Sequence, residues 1–155
     1  MTTIRQIKKG DLQNLKAVID SNELFPSDLL DEMTNDFFNN ASTQDIWLTK
    51  ELDGKPIAVA YCAPERMTSG TYNLYLIAIH KEYQGQGIGA EIMRFVENLL
   101  RENSNRILIV ETSGLSDFEQ TRKFYYKLHY KRIATISEFY QAGEDKIIFW
   151  KKLTD

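Results

Sequence analysis

Much of what would mark the commoner protein classes is absent from this chain. Its single cysteine, Cys62, cannot form an internal disulfide, and it lies in an apolar run where a thiol acts as a small buried hydrophobe rather than a nucleophile. Neither of the two histidines, His80 and His129, has a second ligand at metal-binding spacing, so no metal centre is expected. Lys and Arg number 19 against 22 Asp and Glu, and basic residues gather only in pairs such as Lys131-Arg132 and Lys151-Lys152. That balance argues against a nucleic-acid module, which would carry a basic face. No apolar run approaches the roughly 20 residues of a membrane span, and residues 1–12 show no secretory pattern, so a cytoplasmic protein without membrane partners is expected. With 155 residues, 43% of them apolar, and no repeat or linker, the chain is read as one domain, 1–155, with a sizeable core.

Apolar periodicity supplies the elements. Thr3 to Ile7 reads as a first strand, and Asp11 as the cap of a helix with Leu12, Leu15, Val18 and Ile19 on one face. Ser27 caps a second helix carrying Leu29, Leu30, Met33 and Phe37. Ile46 to Leu52, the turn Asp53-Gly54 and Ile57 to Cys62 form a hairpin, and a further strand ends at Leu74, Leu76, Ile77, Ala78 and Ile79. From Ile88 a helix presents Ile92, Phe95, Val96, Leu99 and Leu100, with Glu97 and Arg101 as an exposed pair. Ile107 to Glu111 is a buried strand, Ser116 with Glu119 a capping box, and Thr121, Phe124, Tyr125 and Leu128 the inner face of a helix ending near His129. Tyr130 to Ser137 and Lys146 to Lys152 close the chain as two strands. The order is β-α-α-β-β-β-α-β-α-β-β.

Gln84-Gly85-Gln86-Gly87-Ile88-Gly89-Ala90 stands between a strand end and a helix start. Glycines there let backbone approach a ligand and aim unpaired N–H groups at it, a setting suited to phosphate. The same residues fit two kinds of cofactor. Gly85-x-Gly87-x-x-Ala90, with Glu111 ending the next strand, also fits a loose dinucleotide-binding fingerprint, but the polar elbow from His80 to Gln84 is long for the tight turn that fingerprint requires.

The stretch from Gln84 to Gly89 resembles the Q/R-x-x-G-x-G/A signature of the GNAT family of N-acetyltransferases. Phe124-Tyr125-Tyr126-Lys127-Leu128-His129-Tyr130 resembles that family's FYxKLGF segment. The chain departs from the family pattern at His129, where a Gly is usual, at Phe118 for a frequent Asn, and at Lys81 for a common Pro. The resemblance implies an α/β fold: a mixed, mostly antiparallel sheet with a V-shaped splay and helices on both faces. It implies acetyl-CoA as cosubstrate and a primary amine of a small molecule or peptide as acceptor, acetylated by direct transfer in a ternary complex, and homodimers are common in the family.

By position, Ile77, Ala78 and Ile79 would lie along the pantetheine arm, and Gln84, Gly85, Gln86, Gly87, Ile88, Gly89 and Ala90 would hold the pyrophosphate. Tyr125 would be the general acid for the departing thiolate and Glu111 the base for the attacking amine. A non-catalytic acyl-CoA-binding module would keep the same cofactor residues without turnover. Around the acceptor cleft the family implies, near 24–28 and 139–145, Phe25, Phe139 and Tyr140 mix with Glu23, Asp28, Glu138, Glu144 and Asp145, a composition suited to a cationic amine.

Overall fold

The structure, a computed structural model, describes residues 2–155. Among these the elements are β1 (Thr2–Gln6), α1 (Leu12–Asn22), α2 (Leu29–Asn39), β2 (Ile46–Leu52), β3 (Lys55–Pro64), β4 (Thr71–Ile79), α3 (Ile88–Glu102), β5 (Ile107–Ser113), α4 (Glu119–Lys127), β6 (Lys131–Gln141) and β7 (Glu144–Lys152). The strands hydrogen-bond in the order β1-β2-β3-β4-β5-β7-β6, a mixed and mostly antiparallel sheet flanked by helices, with β4 and β5 its parallel pair. By contacts the chain divides into two compact units, one comprising residues through Ala63 with Tyr75–Val96, the other Pro64–Leu74 with Glu97–Asp155.

In the first unit, β1, β2 and β3 form an antiparallel meander, with Ile4 opposite Lys50 and Thr49 opposite Val59. Asp53 and Gly54 turn the β2–β3 hairpin with φ of 52° and 82°, the two left-handed residues that match the twist of the flanking strands. Leu15, Val18 and Ile19 of α1 and Leu30 of α2 are buried with Ile7, Trp47, Val59 and Ala78, because their 3–4 residue spacing puts one apolar stripe on each helix. Cys62 is buried, and burial pushes its thiol up to about 12, with the charge of Asp45 adding to the effect.

Two expected caps take other forms in this unit. Asp11 lies in a short 3₁₀ turn, Lys9–Asp11, and its side chain does not bond α1. Its carboxylate instead accepts the Lys8 N–H at 2.7 Å and two bonds from the Arg5 guanidinium at 2.8 and 3.0 Å. Ser27 contributes its backbone carbonyl, not its hydroxyl, to the turn that starts α2 (Leu30 N–H, 3.1 Å). The bond from Arg5 holds the Asp11 carboxyl below its ordinary value against the opposing effect of burial. A group lowered in this way stabilises the fold above the ordinary carboxylate pKa, and the contribution is lost as pH falls through the lowered value. Asp11→Asn is therefore expected to cost about 1–3 kcal/mol at pH 7, with a gap from the parent that closes in acid when urea melts are run as a pH series.

In the second unit, Thr71–Leu74 of β4 pairs in parallel with Ile107–Val110 of β5, and β5 pairs antiparallel with β7 from Ile107↔Lys152 to Ser113↔Lys146. The outer strand β6 is exposed along most of its length, and its pairing with β7 is interrupted by irregularities after Arg132 and after Ile136.

Glu97 is buried rather than exposed, and Arg101 lies 3.9 Å from it. Its nearer partners are the Tyr130 hydroxyl at 2.6 Å and Lys151 Nζ at 2.9 Å. The apolar stripe of α3 is turned so that Met93 is buried and Phe95 is exposed. The capping box is also absent: Ser116–Phe118 form a 3₁₀ turn, α4 starts at Glu119, and Arg122 donates to the carbonyls of Ser113 and Leu115 (2.8 and 2.9 Å). Thr121 faces outward, so the inner side of α4 is carried by Phe124, Tyr125 and Leu128.

The end of α4 is a Schellman motif. His129 has φ 70°, its N–H donates to Tyr126 O (3.0 Å), and the Tyr130 N–H reaches Tyr125 O (3.0 Å). The rings of Tyr125 and Tyr130 meet edge to face across the motif at 5.8 Å. His129 thus occupies a left-handed position that costs a side-chain-bearing residue about 1–2 kcal/mol. His129→Gly, at an exposed position, is expected to stabilise the protein by about 1 kcal/mol and to raise its melting midpoint by roughly 2–4 °C in a thermal scan.

Candidate active site

Strand β4 carries one residue more than its partner. Glu65 N–H bonds to Thr71 O at 2.9 Å, and His80 N–H bonds to Ile57 O at 2.8 Å. Between these two bonds β3 advances eight residues (57 to 65) and β4 nine (71 to 80), so the antiparallel pair contains a bulge. Tyr75 and Leu76 locate it. The Tyr75 ring lies 5.6 Å from Tyr61, which stacks on Trp47 at 4.2 Å, and Leu76 packs on the same Trp47 cluster, so two consecutive side chains share one face. The ladder between β4 and β5 ends at Leu74↔Val110, just before the bulge.

Beyond it, the alternation of a strand decides which peptide groups face outward. His80 bonds toward β3, so Ile77 and Ile79 turn their N–H and C=O groups to the opposite edge, while Ala78 is buried and turns its own toward β3. The Ile79 carbonyl already accepts from two side-chain amides, Asn22 Nδ2 at 2.8 Å and Gln84 Nε2 at 3.0 Å. Ile79 N–H and both backbone groups of Ile77 face the same edge.

The elbow that follows is a 3₁₀ turn, Lys81–Tyr83, capped by His80 Nδ1 accepting the Glu82 N–H at 3.2 Å. Gly85 and Gly87 have φ of 78° and 80°, and nothing lies within 4 Å of a Cβ built on either. The requirement for glycine at these two positions is therefore one of backbone conformation. In α3 the first intrahelical bond is Glu91 N–H to Gly87 O, 3.1 Å, so the N–H groups of Gly87, Ile88, Gly89 and Ala90 lie ahead of the helical ladder at the positive end of a 15-residue helix. Glu91, which follows the cradle in the first turn of α3, is paired with the buried Lys50 at 2.6 Å, which offsets a charge that would repel an anion. Residues 84–90 thus form a cradle with the donors and polarity for a pyrophosphate.

Tyr125 lies in the second unit, with its ring buried against Phe124, Tyr130 and Phe149 at centroid distances of 5.1–5.8 Å. Its hydroxyl has no hydrogen-bond partner among the described residues. Burial raises the phenol above its ordinary value near 10, so it stays protonated throughout the neutral range. In the same unit the Glu111 carboxylate is engaged at both oxygens, by Lys146 Nζ at 2.8 Å and by Asn73 Nδ2 at 3.3 Å. The Asn73 amide also reaches Glu65 at 2.8 Å, and the Lys146 ammonium lies 3.5 Å from the Phe139 ring centroid. The Tyr140 phenol is raised by burial and then by the charges of Glu111 and Glu144. Lys146 and Asn73 carry no sequence signal, because their meeting with Glu111 depends on strand register. No group of three or more metal-ligating side chains occurs among the described residues, and no described helix is long and apolar enough to cross a membrane.

A bulged β4, a glycine cradle and a helix N-terminus in this order define the acetyltransferase architecture, and residues 12–130 match the model of the Acetyltransferase (GNAT) family. An uncharacterised N-acetyltransferase of Methanocaldococcus jannaschii is 31% identical over 102 residues, 66% of this chain and 63% of that relative's length. A solved GNAT-family protein from Desulfovibrio desulfuricans superposes with a TM-score of 0.92 at 28% identity, covering 99% of this chain and all of its own. A protein from Salmonella typhimurium, solved with its cofactor acetyl-CoA, shares the fold at TM-score 0.75 and 14% identity, over 99% of this chain and 95% of its own. The chain belongs to the GNAT family. That membership sets aside the dinucleotide reading of the same glycines.

Proposed function

We propose that the protein transfers the acetyl group of acetyl-CoA to a primary amine within a ternary complex. The observation that carries this reading is the cradle at 84–90, two left-handed glycines followed by helix N–H groups outside the ladder, continuing from an outward-facing edge at Ile77 and Ile79. In this reading the cradle N–H groups hold the pyrophosphate, and the backbone of Ile77 and the N–H of Ile79 hold the pantetheine arm as an added strand would be held. The thioester supplies an activated acetyl carbonyl. Glu111 takes a proton from the acceptor ammonium, through water where Lys146 and Asn73 occupy its oxygens. The neutral amine then attacks the carbonyl carbon, and a backbone N–H beside the bulge holds the developing oxyanion. As the C–S bond breaks, Tyr125 gives its proton to the thiolate, and the proton that the nitrogen sheds as the amide forms returns to the phenolate through water.

The acceptor is a cationic amine. Residues 17–49 contain seven acids (Asp20, Glu23, Asp28, Asp31, Glu32, Asp36 and Asp45) and no Lys or Arg, in a chain whose net charge is only −3. Such a local field draws cations and raises their encounter rate. A cytoplasmic setting, with its acetyl-CoA supply, belongs to the same reading. The test is CoA release from acetyl-CoA with a panel comprising a polyamine, a basic peptide with a free N-terminus, a neutral amine and an anionic amino acid. Release that depends on the cationic members supports the reading. CoA binding without release for any amine would make the protein a non-catalytic acyl-CoA binder.

A further inference from the structure

Gly85 and Gly87 carry no side chain that could hold the cradle between Gln84 and the buried Ile88, so contacts at its ends have to shape it. Here the contact comes from the last turn of α1. The Gln84 side chain, at the entrance to the cradle, turns back from it, and its Nε2 donates to Asn22 Oδ1 at 2.6 Å and to Ile79 O at 3.0 Å. Asn22 Nδ2 donates to that same Ile79 carbonyl at 2.8 Å and to Val18 O at 3.0 Å. One residue earlier, Ser21 Oγ accepts the Lys81 N–H at 3.1 Å and donates to Val18 O at 2.8 Å. The two ends of the elbow, Ile79 and Gln84, are thereby tied to each other and to one side chain that precedes them by 57 and 62 positions.

We infer that Asn22 is a positioning residue for the cofactor cradle, acting through Gln84 and Ile79. Both glycines sit at positive φ with no atom within 4 Å of a built Cβ, so no neighbour crowds either position into this conformation. Gly loses more chain entropy on ordering than any other residue. A loop that is already held pays less of that loss when a ligand binds, and the saving appears as affinity. Asn22 is also the last residue of α1, followed by Glu23 at φ 52°, where the chain enters the α1–α2 turn. The clamp that shapes the cradle therefore fixes the start of that turn, in the acidic segment proposed to draw the amine. This inference rests on the reading of the cradle as a CoA site.

The test is titration calorimetry with CoA on the parent protein, Asn22→Ala, Asn22→Asp, Gln84→Ala and the double Ala variant, with thermal melts beside each. Losing the clamp is expected to weaken CoA binding about tenfold in Asn22→Ala and comparably in Gln84→Ala. The double variant should lose less than the sum of the two single losses, because both singles break the same Gln84–Asn22 bond. Asn22→Asp, which keeps the acceptor for Gln84 and loses the donor to Ile79, should fall between parent and Ala. Parent-like CoA affinity in Asn22→Ala, even with a lowered melting midpoint, would overturn the inference and leave Asn22 a structural residue. Losses that add in the double variant would overturn it too. A parent protein that does not bind CoA would overturn the reading of the cradle itself, and that result is seen before any variant is made.

Discussion

Tyr125→Phe is expected to lower kcat about a hundredfold or more, the usual contribution of a positioned proton donor, while the affinity for CoA stays near that of the parent. The substitution removes one oxygen that has no hydrogen-bond partner among the described residues, and it leaves the ring among Phe124, Tyr130 and Phe149. Stability should therefore hardly change, which makes the kinetic result easy to interpret. The raised phenol carries a second expectation. Tyr125 stays protonated well beyond its ordinary value near 10, so the parent's pH–rate profile should show no alkaline limb from this group below about pH 10. Single-turnover measurement of CoA release across pH checks both. A Tyr125→Phe variant as fast as the parent would remove the general-acid assignment.

The second large effect is expected at the cradle. Replacing Gly85 and Gly87 together by Val places two β-branched side chains at φ of 78° and 80°, a conformation that costs a residue with a Cβ roughly 1–3 kcal/mol at each position. No atom lies within 4 Å of either built Cβ, so a steric clash is not the cause. The cost falls on the backbone shape that aims the N–H groups. CoA affinity should drop by roughly 30-fold or more, and the melting midpoint should fall far less, because the loop is exposed and escapes the strain by changing shape. A variant that binds CoA like the parent would mean that the phosphates do not rest on this loop.

Local chemistry explains which parts of the fold are legible in the sequence. The β2–β3 hairpin is readable because Asp53-Gly54 demands two positive φ values, a requirement expressed within two residues. The start of α3 at Ile88 is readable because two glycines precede an amphipathic run. Glu97 misleads because its spacing to Arg101 fits an exposed pair, whereas burial is decided by Tyr130 and Lys151, 33 and 54 residues away. Ser116 and Glu119 have capping-box spacing, but a 3₁₀ turn fills Ser116–Phe118 and α4 starts only at Glu119, so Glu119 is the first residue of the helix and not the third. The candidate site divides in the same way. Its glycines follow a local pattern, while Lys146 and Asn73 reach Glu111, and Asn22 reaches Gln84, only through strand register and helix docking.

The count of residues in β4 has a consequence for how such a strand could arise or be lost. Removing Tyr75 would leave the Glu65–Thr71 and Ile57–His80 bonds each with their own partners and eight steps on both sides, the arithmetic of an ordinary hairpin. On the residue count, one inserted position separates a regular β3–β4 pairing from the bulged one, so a change of a single codon would create or remove the bulge.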